Sequence, residues 1–126
     1  MSKVKVLFYA EDDGSAPVDL WLEKLPKKVQ AKGINRIYRL EEMGHKLKRP
    51  EADYLQDDIN ELRWSWRNVN YRILFFFFGR EAVILAHGLT KENVIPKSDL
   101  NIAIKRKNLY LTNPNKHTYQ KEIKYV

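Results

Sequence analysis

The chemistry open to this chain is cationic. It carries 23 Lys and Arg, three His (His45, His87 and His117) and no Cys. Without cysteine there is no thiolate nucleophile, no disulfide framework, no Cys-ligated zinc and no iron–sulfur cluster. The histidines are far apart and no carboxylates are spaced to join them, so the expectation is no metal site and no cofactor. What remains is arginine and lysine at strand-like spacing. Residues 59–67 (INELRWSWR) alternate, with Leu62, Trp64 and Trp66 on one face and Glu61, Arg63, Ser65 and Arg67 on the other. Arg72 follows Tyr71 at the head of an apolar run, and His87 and Lys91 lie in and just after the segment 82–89. Lys105 and Arg106 cluster with Lys107. Guanidinium forks grip phosphate oxygens at two points, and ammonium groups clamp them as point charges.

Each of these residues also has a quieter role. Arg72 can be a strand-end charge reaching for solvent. Arg63 can pair with Glu61 or Asp58 across the sheet surface, and Arg67 and Lys91 can be solvated. His87 is either a general acid–base group or a strand histidine that bonds backbone and shapes a cleft. In the segment 82–89 it is expected to point with Val83, Leu85 and Leu89. Trp64 and Trp66 are expected to fill the core.

The elements that would position these groups follow from periodicity. Residues 3–9 read as a strand. Ser15 is placed to cap a helix entered through Pro17, with Val18, Trp21, Leu22 and Leu25 at helical spacing. Leu25-Pro26 breaks that helix. A second carries Val29, Ile34, Ile37, Leu40 and Met43 up to Gly44 at its C-terminus. The period then changes to two. Strands at 59–67, 71–78 and 82–89, joined by turns at 68–70 and 79–81, form an antiparallel meander. A last helix runs from Pro96 to about Leu111 and stops at Asn113-Pro114-Asn115. The order β-α-α-β-β-β-α predicts an α+β fold, an antiparallel sheet with helices packed on one face and arginines on the other. The expected organisation is one domain over 1–112 and a basic C-terminal tail, 113–126, that either docks or stays flexible.

The net charge is +7 over 126 residues. Residues 1–90 hold 15 basic against 13 acidic side chains, and residues 91–126 hold 8 against 3. A polarised basic surface suits a polyanion, nucleic acid first. The longest apolar run, Ile73 to Phe78, is six residues, far too short to span a bilayer. The N-terminus has no signal-peptide core. A cytoplasmic protein with no membrane partner is expected.

Several strings in order carry a resemblance. They are Asp58-Ile59-Asn60-Glu61-Leu62-Arg63, then Tyr71-Arg72-Ile73-Leu74-Phe75-Phe76, then Ile84-Leu85-Ala86-His87-Gly88-Leu89-Thr90-Lys91, then Pro96 and the helix bearing Ala103 and Arg106. Together they resemble the RelE superfamily of bacterial toxins, and within it the HigB branch that includes phage-derived proteins. The match covers residues 55–106. The resemblance implies a RelE-like fold, ribosome-dependent cleavage of mRNA, and neutralisation by a cognate helix-turn-helix antitoxin. It implies a catalytic role for Arg72; Lys91, Arg63 and His87 are the candidates beside it, and Arg67, Lys105 and Arg106 are the candidate RNA contacts. It also points loosely to Tyr110 near the base or the 2′-oxygen. The family often has a second basic residue after Lys91, where this chain has Glu92.

That chemistry agrees with the residues available. RNA supplies its own nucleophile, the 2′-hydroxyl. Scission then needs in-line orientation, charge stabilisation at a pentavalent phosphorane and proton management. The products are a 2′,3′-cyclic phosphate and a 5′-hydroxyl. Two other classes stay open on the sequence: a ParE-like toxin that inhibits DNA gyrase by binding, and a catalytically weak module that only binds antitoxin or RNA, for which Glu92 is the best argument.

Overall fold

The aromatic run near the middle of the chain sets the architecture. Residues 71–76 (YRILFF) are buried without alternation, so the strand that carries them must be covered on both faces. In the computed structural model, which describes residues 3–90 and 94–121, that strand is β4 (Val69–Phe78). Before it come β1 (Lys5–Tyr9), α1 (Pro17–Glu23), α2 (Lys27–Met43), a short 3₁₀ turn (Gly44–Lys46), β2 (Ala52–Gln56) and β3 (Ile59–Trp66). After it come β5 (Ala82–Thr90), α3 (Lys97–Thr112) and β6 (Thr118–Tyr119). The strands form one sheet in the order β2-β3-β4-β5-β1-β6.

The fold class is α+β as expected, and the β3-β4-β5 meander is present with the expected hairpins. Three features correct the sequence reading. The sheet is mixed, because β1 runs parallel to β5. Chain reversal by two helices returns β1's successor to the far edge, so β1 lies beside β5 without a hairpin. The helices occupy both faces. Val18, Leu22, Val29, Ile37 and Leu40 of α1 and α2 pack with Leu62, Trp64, Ile73, Phe75, Val83 and Leu85. Ala103 and Tyr110 of α3 pack with Ile59, Leu74, Phe76, Ile84 and Ala86 on the opposite face. The polar sheet face is thus half covered by α3, because alternate residues of β4 and β5 on that side are also apolar. Finally, two strands were not anticipated. β2 pairs with β3 across a turn at Asp57-Asp58, both at positive φ, and β6 pairs with Phe8 and Tyr9 of β1.

Residues 113–121 of the expected tail pack on the body, and residues 122–126 lie outside the described residues. His117 is buried against Ala10, and Lys121 Nζ lies 2.8 Å from Asp19 Oδ1. Pro17 enters α1 as expected, but its N-cap is Ala16, and Ser15 bonds Asp13 Oδ1 instead. The β3–β4 turn is Arg67-Asn68, two residues at positive φ rather than a loop over 68–70, which is the geometry a two-residue hairpin requires. Two glycines are fixed by close approach. A Cβ on Gly33 of α2 would lie 2.6 Å from Trp64, and one on Gly88 of β5 would lie 2.3 Å from Trp21. Trp64 fills the core as expected and meets Trp21 edge to face at 6.0 Å, whereas Trp66 is only half-buried. Among the described residues no helix is long and apolar enough to cross a membrane.

Candidate active site

Strand register brings the sequence-selected cations together. Arg63 of β3 is the direct partner of Arg72 of β4, and Arg72 in turn is the partner of Leu89 of β5. One pleat away, Glu61, Leu74 and His87 form the next row on the same face. Glu61 is therefore diagonal to Arg72. Its Oε1 lies 3.4 Å from Arg72 Nε and 3.9 Å from Arg63 Nε. Arg72 is not a solvated strand-end charge: it sits inside β4 and is 7 % exposed, and Glu61 is 6 % exposed. Arg63 is half-buried. A cleft of about 290 Å³ has Arg36, Arg63 and Arg72 among its walls.

The electrostatics of this trio are unfinished. Arg72 Nε and Glu61 Oε1 are buried and close, yet neither has a hydrogen-bond partner among the described residues. Buried polar groups normally complete their bonds, and leaving one open costs about 1–3 kcal/mol. Burial pushes the Glu61 carboxyl above its ordinary value, against the pull of Arg72 and then Arg63. The arrangement can present a guanidinium fork to an anion and a carboxylate of raised basicity beside it. Arg36 is anchored separately, 3.1 Å from Glu51. Glu51 also takes both forks of Arg39, which holds its carboxyl below the usual range.

His87 lies on this face for a reason that period-two reading misses. The β4–β5 register slips at Ala86, so that Leu74 pairs with His87 while Phe75 pairs with Leu85. This bulge turns His87 away from Val83 and Leu85, correcting the expectation that it points with them, and toward α3. There Nε2 is 2.7 Å from Asp99 Oδ1, and Nδ1 is 3.3 Å from Arg106 Nη1. A carboxylate and a guanidinium can only accept and donate respectively, so the ring carries its proton on Nε2. Arg106 Nη1 also donates to Ala86 O at 2.8 Å, and its guanidinium lies over Tyr9 at 5.7 Å. Burial, aided by the Glu11 carboxylate, pushes the Tyr9 hydroxyl up to about 12.

The remaining choices fall in different places. Arg106 is directed inward. Lys105 is exposed on α3, and Arg67 is exposed at the hairpin tip with its guanidinium 5.4 Å from the Trp66 ring. Lys91 and Glu92 lie outside the described residues; the chain reaches them directly after Thr90, the partner of Tyr71. Tyr110 is buried against Phe76 and Phe78, which corrects its placement near a substrate base. Glu61 was overlooked as a chemical group because a strand carboxylate between arginines reads as surface pairing. Its place two residues from Arg63 on the same strand face was the available signal. Among the described residues no three His, Asp or Glu side chains cluster closely enough to hold a metal ion.

Comparison with known proteins agrees with the strand motifs. Residues 20–108 match the family described as "Phage derived protein Gp49-like (DUF891)". The chain is 28 % identical over 103 residues to a protein named "Probable endoribonuclease HigB1" from Mycobacterium tuberculosis, strain CDC 1551 / Oshkosh, covering 82 % of this chain and 81 % of that one. The same holds for the protein of that name from strain ATCC 25618 / H37Rv. The matched region spans α2, the meander and most of α3, so the Arg63–Arg72 pairing and the His87 bulge both fall inside it: the chain belongs to the phage-derived Gp49-like family, in the HigB-like branch of the RelE superfamily.

Proposed function

We propose that the protein is the toxin of a toxin–antitoxin pair, an endoribonuclease that cuts mRNA on the ribosome and is silenced by a cognate helix-turn-helix antitoxin. The observation that carries this reading is the cleft walled by Arg36, Arg63 and Arg72, with the buried Glu61 carboxylate 3.4 Å from Arg72 Nε. Similarity to a probable endoribonuclease supports it.

In the proposed step the 2′-oxygen attacks the adjacent phosphorus and the P–O5′ bond breaks. Glu61 takes the 2′-hydroxyl proton, for which a carboxylate of raised pKa is better suited than an ordinary one. Arg72 holds the non-bridging oxygens as charge builds on the phosphorane, and Arg63 shares that load. Lys91 supplies the proton to the leaving 5′-oxygen. His87, engaged at both ring nitrogens, fixes α3 against β5. Arg67 and Lys105 add phosphate contacts at the rim, and Arg106 positions His87. No step uses a metal ion. A shallow basic face does not orient a floppy strand alone, so the ribosome presets the in-line geometry.

The test is cleavage of message on programmed ribosomes beside cleavage of the same message as naked RNA, with the new ends mapped. A 2′,3′-cyclic phosphate and a 5′-hydroxyl, formed far faster on ribosomes than on naked RNA, are expected. Intact message with an early block to replication would move the reading to a gyrase-directed toxin.

A further inference from the structure

A second cleft lies at the other end of β3 and β4, on the face that packs α2. Tyr54, Asn60 and Phe75 form one cross-strand row there. His45, in the 3₁₀ turn after α2, stacks on Phe77 with centroids 3.6 Å apart and planes 17° apart. Two adjoining hollows of about 400 and 640 Å³ share His45, Tyr54, Asn60 and Phe77 as walls. Tyr54 is 56 % exposed on the edge strand β2. The Asn60 carboxamide is half-buried and makes no hydrogen bond among the described residues. The segment entering the cleft reads His45-Lys46-Leu47-Lys48-Arg49; Leu47 is buried, while Lys46 and Lys48 are exposed and make no ion pair among the described residues.

We infer that this cleft binds an unpaired ribonucleotide. The inference rests on the reading of the protein as RNA-directed and places a contact outside the cleavage site. Exposed aromatic faces offer stacking to any base. A free carboxamide pairs donor and acceptor with a base edge. Two uncommitted lysines at the rim take the flanking phosphates, and a purely apolar occupant would leave Asn60 unsatisfied. The cleft is separate from Arg72. Asn60 is three residues from Arg63 along β3, about 10 Å, and on the opposite face. The nucleotide comes from the message or from ribosomal RNA.

The experiment reads binding and needs no cleavage, so it stands apart from the fate of the proposed reaction. A fluorescein-labelled single-stranded RNA decamer is titrated with the full chain, with His45→Ala/Tyr54→Ala and with Lys46→Ala/Lys48→Ala, each checked by a melting curve. The aromatic double variant is expected to bind about tenfold or more weakly. The lysine double variant should lower the salt slope by roughly 1.4, at about 0.7 per phosphate contact on a single strand. On ribosomes, ultraviolet crosslinks from a photoreactive residue replacing Tyr54 should fall on message or on ribosomal RNA, and the band assigns the source. Folded variants that bind the decamer as wild type does, or crosslinks to protein alone, would overturn the inference.

Discussion

Arg63 and Arg72 face each other directly across β3 and β4, with the Glu61 carboxylate diagonal to the pair and 3.4 Å from Arg72 Nε. Two like charges as direct cross-strand partners repel, and this pair is tolerated because Glu61 lies between them. The trio is therefore coupled, and its members give distinct signatures when changed.

Glu61 gives the clearest pH dependence. Burial holds its folded pKa above the unfolded value. The folded state then binds more protons just above the usual carboxylate range, so stability falls as pH rises through that window. Glu61→Gln should flatten this fall in melting curves taken from pH 4 upward. Cleavage by the parent protein should rise over the same window as the base ionises, and Glu61→Gln should lose that limb. A Glu61→Gln protein with the parental pH–rate profile would remove Glu61 from proton transfer.

His87 and Asp99 join β5 to α3. A hydrogen bond to a charged group contributes about 1.5–3 kcal/mol. Asp99→Asn should therefore lower stability by about 1.5 kcal/mol in urea titration and reduce single-turnover cleavage less than tenfold. A loss of several hundredfold with an unchanged melting temperature would return His87 to acid–base work.

Gly88→Ala should destabilise the protein by about 1–3 kcal/mol, since the new methyl meets the Trp21 indole at 2.3 Å. Thermal melting checks this, and an unchanged midpoint would mean that Trp21 moves aside freely.

Tyr9 carries a raised hydroxyl pKa of about 12. Its contribution is present in full below the unfolded value near 10 and is lost as pH rises toward 12. Tyr9→Phe should unfold less steeply between pH 9.5 and 11.5 than the parent.

The strongly periodic elements were legible from residues alone. Val29, Ile37 and Leu40 announced α2, and the YRILFFFF run announced a central strand. The site was half legible: alternation placed Arg63 on the polar face, but Arg72 reads as a strand-end charge unless the register is known. β2 stayed hidden because Ala52-Asp53-Tyr54-Leu55-Gln56 is an edge strand with few buried side chains, and its turn uses Asp57-Asp58 where Asn-Gly is the usual signal. His87 was misplaced by a one-residue bulge, which no period-two pattern reveals. The covered face under α3 was missed because burial of alternate residues on both sides of β4 looks the same as one thick core.

The most direct test of the proposed chemistry is single-turnover cleavage on programmed ribosomes by Arg72→Ala, run beside a melting curve. Removing one member of a buried pair leaves Glu61 uncompensated and lowers stability, so the assay is made well below the variant's melting temperature. The expected result is a folded protein that binds ribosomes normally and cleaves about a hundred- to a thousandfold more slowly, with Arg72→Lys recovering part of the loss. A folded Arg72→Ala protein that cleaves at the parental rate would contradict the assignment of Arg72 as the group that stabilises the phosphorane.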